Sequence, residues 1–194
     1  MQTLRLKVLD KALNYVPEHG FTLNSIQRAL QDLQLSSGFN GCTQPIDLIE
    51  YHQKELIKPL STTESDFYAK VRDLFIKRSN SMRNVSSHWV NATAELSKSP
   101  FMASQILQSQ CHFILNAAGD KSVDMNWYYR YVLLGKMIIA TDLYMTQDKS
   151  NNMEATDKFC SESMTKFKEL DKLGHKIYLK ADMVLNSGFK RVNL

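Results

Sequence analysis

The sequence predicts an all-α protein of about nine or ten helices. Apolar residues recur three and four positions apart along most of the 194 residues, which is the period of an amphipathic helix. No stretch of strict apolar and polar alternation interrupts this pattern. Seven Gly and four Pro are also too few for a turn-dense β architecture.

The first fifty residues predict three helices. The first apolar stripe ends at Pro17 and Gly20, and the second begins after a cap at Thr22 or Asn24. A polar segment at 35–43 separates the second stripe from a third helix that ends at Pro59. The stripes comprise Leu6, Leu9, Leu13 and Val16, then Leu23, Ile26, Leu30 and Leu33, then Ile46, Ile49, Leu56 and Ile57.

The rest of the chain predicts a second group of helices. They cover about 67–82, 89–96, 102–114 and 124–145, and their expected limits include Pro100, Gly119 and a cap at Asp124 or Ser122. From Glu154 onward the pattern predicts a long helix or a pair of helices, with a break at Gly174. We therefore divide the chain into an N-terminal subdomain at 1–57, a helical domain at 58–174 and a C-terminal helix at 175–194.

The net charge of +4 lies entirely in the C-terminal segment. Residues 1–157 carry equal numbers of basic and acidic side chains, whereas the last 37 residues carry eight basic and four acidic ones. A basic end of this kind suits an anionic surface, either a membrane or a nucleic acid.

The sequence has few features of an enzyme. It contains no G-x-G, no P-loop and no Glu-x-x-His pair, so it lacks the common nucleotide-binding and di-iron patterns. Its three cysteines are odd in number and widely spaced, which favours a reducing compartment. We expect no catalytic residue, no cofactor and no metal site, and no apolar run is long enough to span a bilayer.

The N-terminal region resembles the helix-turn-helix domain of TetR-type regulators. A long helix, Gly20-Phe21-Thr22, a helix of about ten residues, a short turn and a third helix follow in that order. Between Arg28 and Lys54, however, there is no Lys or Arg, while Asp32, Asp47 and Glu50 are acidic. DNA binding requires neutralised phosphates, so we expect no nucleic-acid partner.

Two motifs carry a closer resemblance. Residues 119–130 contain Gly-Asp-x-Ser-x-Asp-x-Asn-Trp-Tyr-x-Arg, and Met-x-Gln-Asp follows at 145–148. Together with Tyr-Val-Pro-Glu-His-Gly-Phe-Thr at 15–22, they resemble the family of the ninth coenzyme Q biosynthesis accessory protein, and the basic, eukaryote-like sequence is similar to its fungal branch.

This resemblance implies a TetR-like fold that holds a lipid in its C-terminal helical domain. It implies a peripheral location on the matrix face of the mitochondrial inner membrane, although the sequence shows no Arg- and Ser-rich leader. The expected partners are the di-iron demethoxyubiquinone hydroxylase, the coenzyme Q biosynthetic complex and further copies of the chain. The expected ligand is a phospholipid or an isoprenoid quinone intermediate. The alternatives are a ligand-responsive TetR-type regulator and a scaffold without lipid.

We assign candidate residues to three surfaces. The lipid surface combines apolar positions on two helices with a cation for a headgroup, namely Phe113, Ile114, Leu133, Leu134, Met137, Ile138 and Arg130. By resemblance, the hydroxylase surface comprises Gly119, Asp120, Asp124, Trp127 and Tyr128. The predicted membrane surface is a basic amphipathic stripe of Lys176, Ile177, Lys180, Val184, Lys190 and Arg191, for which packing in a homodimer is the alternative.

Overall fold

The structure, a computed structural model, describes residues 2–36, 38, 41 and 43–192, but not the side chains at positions 2, 179 and 181–192. This part of the chain contains α-helices and short 3₁₀ helices, among them Arg83–His88 and Asn151–Met153, without strands. The helices are α1 (Gln2–Leu13), α2 (Val16–His19), α3 (Leu23–Asp32), α4 (Pro45–Ile57), α5 (Phe67–Met82), α6 (Trp89–Ser97), α7 (Pro100–Ala118), α8 (Met125–Gln147) and α9 (Glu154–Val192). The predicted all-α fold class is confirmed.

Several helix ends follow directly from local sequence. The Asp124 carboxylate accepts a hydrogen bond from the Asn126 backbone N–H at 3.0 Å and caps α8. Gly119 ends α7 in the left-handed conformation with φ of +88°, where a residue without Cβ is favoured. These two ends hold the connection between α7 and α8, which carries Gly119, Asp120 and Asp124 of the predicted hydroxylase surface.

Two adjoining clusters of buried side chains form the interior. One includes Ile26 of α3 and Leu48 of α4, and it extends to Trp89 of α6. The other joins α5, α7, α8 and α9 through residues such as Phe75, Leu134 and Phe167. The second cluster supports the helices that carry the candidate site.

The predicted first helix and the predicted break in the last helix differ from the structure. The first apolar run is divided, because α1 ends at Leu13 and a separate short helix begins at Val16. The break expected at Gly174 is wrong, since α9 continues through this position. A Cβ at Gly174 would collide with the Tyr129 ring of α8. The glycine therefore serves close helix packing instead of ending a helix.

None of the helices within the described residues combines the length and the apolar composition needed to cross a bilayer.

Candidate functional site

A buried charged cluster lies between α4, α5, α7 and α8. Arg78 is only 1% exposed, and its guanidinium forms a two-pronged ion pair with Asp142. Arg78 Nε also donates to Gln110 Oε1 at 2.8 Å, and Gln110 Nε2 donates to Gln53 Oε1 at 2.5 Å. Every charge in this cluster has a partner, as burial requires.

The sequence analysis missed this cluster, although the sequence contains a signal for it. Arg78 falls in the apolar stripe of α5, four residues after Leu74 and four before Met82. Asp142 similarly lies four residues after Ile138 on the buried face of α8. A charged residue within each of two apolar stripes indicates a buried ion pair.

An apolar cavity of about 330 Å³ adjoins this cluster, between α6, α7 and α8. Apolar side chains form most of its walls, and its polar part consists of the hydroxyls of Thr93 and Ser104 and the paired groups of Arg78, Gln110 and Asp142. The apolar lining comprises Trp89, Leu96, Ala103, Ile106, Leu107, Ile138, Ile139 and Leu143. Since the polar groups satisfy one another, the cavity suits a hydrocarbon chain better than a charged headgroup.

The predicted lipid residues do not share one cavity. Ile138 lines this cavity, whereas Ile114, Leu133 and Leu134 are buried in the second core cluster. Phe113 and Met137 are partly buried and pack against that cluster. The apolar spacing identified two of the helices that form the cavity, but most of these side chains contribute to a closed core.

Arg130, the predicted headgroup cation, lies in a separate ionic cluster between α8, α9 and the connection before α8. Its Nε donates to both Asp171 oxygens at 3.0 and 3.1 Å, and its NH1 donates to Asp120 Oδ1 at 2.9 Å. The guanidinium carbon lies 4.8 Å from the Phe67 ring centre. The Tyr68 hydroxyl donates to Asp171 Oδ2 at 2.8 Å, and burial together with this bond raises the pKa of Tyr68 to about 12.

A small cleft of about 220 Å³ lies beside this ionic cluster. Its lining includes Arg130, His175 and two exposed lysines, Lys172 and Lys176. The two carboxylates that bind Arg130 are almost fully buried. An anion reaching Arg130 would therefore compete with two paired carboxylates.

The predicted hydroxylase residues divide into structural and exposed groups. Gly119 and Asp124 are helix caps, and Asp120 is the partner of Arg130. Trp127 and Tyr128 form an edge-to-face pair with ring centres 5.0 Å apart. Tyr128 is 59% exposed, so this pair presents an aromatic surface held in place by the capped helix end.

The predicted membrane residues are only partly described. Lys176, Ile177 and Lys180 are exposed on α9. The side chains of Val184, Lys190 and Arg191 lie outside the described residues.

The titratable groups add no sign of a catalytic centre. No three His, Cys, Asp or Glu side chains of the described residues come together in a way that could hold a metal ion. Burial raises the pKa of the Cys111 thiol to about 12, which disfavours the reactive thiolate.

Comparison with known proteins confirms the resemblance found in the sequence. The COQ9 family model matches residues 102–171, a segment that contains the cavity-lining parts of α7 and α8 and both partners of Arg130. The chain is 28% identical over 191 residues to "Ubiquinone biosynthesis protein coq9, mitochondrial" of Schizosaccharomyces pombe, covering 93% of this chain and 76% of that protein.

Two animal relatives are similarly distant. The chain is 27% identical over 176 residues to "Ubiquinone biosynthesis protein COQ9, mitochondrial" of Homo sapiens, covering 81% of this chain and 55% of the relative. It is 28% identical over 185 residues to the protein of the same name in Drosophila melanogaster, covering 84% of this chain and 55% of the relative. The chain thus spans about half the length of these two relatives.

Proposed function

We propose, on the premise that this chain is a COQ9-family protein, that it is a lipid-binding accessory protein of ubiquinone biosynthesis. In this proposal it acts as a peripheral protein on the matrix side of the mitochondrial inner membrane. It takes an isoprenoid quinone intermediate from the bilayer and presents it to the di-iron demethoxyubiquinone hydroxylase. The names of the relatives support the pathway and the compartment, and the apolar cavity between α6, α7 and α8 is the observation that carries the lipid-binding role.

The cavity supplies what an isoprenoid carrier requires. Exposing a hydrocarbon chain to water costs roughly 0.8 kcal/mol for each CH₂ group, so a carrier must cover the chain with apolar surface. The cavity offers such surface from three helices at once. Its mutually paired polar groups leave no unpaired charge to favour an ionic headgroup inside.

Native mass spectrometry after purification without detergent tests lipid binding. We expect a co-purifying polyprenylated quinone or phospholipid in the wild-type protein. The substitution Ala103→Phe should remove it, because this side chain would project into the cavity. Ala117→Phe, at an exposed position of the same helix, is the matched control and should retain the lipid. A wild-type protein that is repeatedly free of lipid would favour the scaffold function instead.

The Trp127–Tyr128 pair is the surface that we propose for the hydroxylase. Exposed aromatic side chains beside an Arg are typical of the residues that dominate binding energy at protein interfaces. The capped start of α8 and the Arg130 ion pairs fix the pair on a rigid element. Presentation of a lipid requires such a fixed orientation towards the enzyme.

Titration of the hydroxylase with the Trp127→Ala variant tests this surface. We expect at least about tenfold weaker binding, since truncating a central aromatic residue typically costs about 2 kcal/mol or more. Phe101→Ala removes a more exposed aromatic ring from the first turn of α7 and should bind as the wild type does. Equal affinity of the wild type and Trp127→Ala, with unchanged helical content, would exclude Trp127 from the interface.

A further inference from the structure

Three lysines lie along one side of α9, beside the small cleft that adjoins Arg130. Lys168, Lys172 and Lys176 follow one another at intervals of four residues, so their side chains share one face of the helix. All three are exposed, and like charges at this spacing destabilise a helix. In the part of the chain that the structure describes, none of their ammonium groups forms an ion pair. Their positive charges therefore remain available to an anion from solution.

An aromatic ring holds part of this lysine stripe against the protein. The ammonium groups of Lys168 and Lys172 lie 5.4 and 6.0 Å from the centre of the Tyr68 ring, at the distance of a cation–π interaction. The ring is itself fixed, because the Tyr68 hydroxyl donates to Asp171. Lys172 and Lys176 also line the cleft. Two of the cations are thus gathered at one small site instead of being dispersed over the surface of the helix.

Arg130 adds a fixed donor to the same cleft. Its Nε and NH1 donate to Asp171 and Asp120, and its guanidinium carbon lies 4.8 Å from the Phe67 ring centre. Its other terminal nitrogen, NH2, has no hydrogen-bond partner among the described residues. An anion that binds NH2 together with the lysines need not displace either carboxylate.

The charge and the size of the cleft define the class of ligand. One carboxylate, that of Asp171, lines the cleft together with the cations of Arg130, Lys172 and Lys176. With His175 neutral, the lining has an excess of two positive charges, three minus one. Its volume of about 220 Å³ is below the range of sites that enclose a drug-sized ligand, so the cleft suits a small group. A phosphate group carries nearly two negative charges at pH 7 and offers three acceptor oxygens, and lysine is a common ligand of phosphate.

We propose that this cleft binds the phosphate group of a small soluble molecule, such as inorganic phosphate, a diphosphate or a phosphate ester. Arg130 would orient the phosphate oxygens, and Lys172 and Lys176 would neutralise their charge. Lipid headgroups share this chemistry, so the test must distinguish a free anion from a bilayer surface. Among the described residues, the cleft has no lining residue in common with the α6–α7–α8 cavity. The proposal is therefore independent of the proposed lipid-binding function.

Isothermal titration calorimetry of the full chain with inorganic pyrophosphate tests the site, in a phosphate-free buffer of low ionic strength. We expect one saturable site in the wild type. The double variant Lys172→Gln and Lys176→Gln should bind about tenfold more weakly or less, since a hydrogen bond to a charged group contributes about that factor or more. The double variant Lys158→Gln and Lys166→Gln removes the same charge from exposed positions of the same helix and should bind as the wild type does.

Thermal unfolding separates a loss of binding from a loss of folding. Without the anion, the cleft variant should unfold at the same temperature as the wild type or higher, because one pair of like charges is removed from α9. Pyrophosphate should raise the unfolding temperature of the wild type and of the control variant, but not that of the cleft variant.

Three results would overturn the proposal. The first is a wild type without saturable pyrophosphate binding, and retention of its lipid in native mass spectrometry would then leave the proposed function standing. The second is equal weakening in the two double variants, which would reduce the effect to overall charge. The third is binding to phosphatidylcholine vesicles that contain phosphatidic acid without binding to pyrophosphate, which would assign the lysines to a bilayer surface.

Discussion

The sequence suggests a lipid-headgroup role for Arg130, whereas the structure places its guanidinium in ion pairs within the protein. A cation after a Trp-Tyr pair suits a lipid headgroup, but its guanidinium is bound by two nearly buried carboxylates, Asp171 and Asp120. One positive charge is thus shared between two negative ones within a single cluster. Removing it would leave both carboxylates without their cationic partner in a region of low water content.

We therefore predict that Arg130→Gln destabilises the fold at pH 7 by about 3 kcal/mol, the usual cost of removing one partner from a buried ion pair. Chemical denaturation of both proteins measures the difference in the free energy of unfolding. A headgroup role would instead appear as unchanged stability with loss of bound lipid, and Lys136→Gln, which removes an exposed cation of the same helix, is the control.

The sequence identified Arg130 but could not identify its partners. Asp171 is 41 residues away in the chain, and no local spacing indicates that α9 returns to this point. Ile138 shows a similar limit for apolar residues, since their spacing does not tell which of them line a cavity. Its apolar stripe is shared with Leu134, but only one of these residues lines the cavity. Helical periodicity predicts which face is buried, whereas a cavity depends on how three helices fit together.

At the scale of the elements, local signals explain the helix ends well. Gly119 was predicted to end α7 and Asp124 or Ser122 to cap α8, and the structure confirms Gly119 and Asp124. Gly174 was wrongly predicted to break the last helix. The reason is that glycine has two distinct structural uses. It can end a helix, or it can allow another element to approach closely. Only the position of Tyr129 on the neighbouring helix decides between them.

The contact between Gly174 and Tyr129 predicts that a normally stabilising helix substitution, Gly174→Ala, is destabilising here. Gly→Ala inside a helix normally stabilises by roughly 1 kcal/mol, but Gly174→Ala should lower the free energy of unfolding because the new methyl group collides with the Tyr129 ring. Thermal unfolding measures the change. In a Tyr129→Ala background the collision is absent, so the same substitution should become neutral or stabilising. A stabilising effect in the wild-type background would contradict the close contact between α8 and α9.

At the scale of the whole molecule, α8 and α9 share an exposed apolar face. The packing of Tyr129 on Gly174 and the 3.3 Å contact of Asn126 with His175 place these stretches side by side. Beside this contact, several large apolar side chains remain exposed, namely Met125 and Val132 of α8 and Leu170, Leu173 and Ile177 of α9. We call this set the α8–α9 face. Several exposed large apolar side chains on two packed helices are typical of an interaction site.

We propose that the homo-oligomer expected from the sequence forms through this face. In a two-fold symmetric dimer through this face, α8 and α9 of one copy would pack on α8 and α9 of the other. The exposed apolar side chains of both copies would then be buried.

Analytical ultracentrifugation over a range of concentrations tests this arrangement. We predict that the wild type self-associates and that the double variant Val132→Glu and Leu173→Glu remains monomeric, because a dimer would place like charges together in an apolar contact. Leu23→Glu, at an exposed position of α3, is the matched control and should still associate. If the α8–α9 variant remains dimeric but loses vesicle binding, this face contacts the membrane, and the exposed Ile177 and Lys176 act there as the sequence predicts.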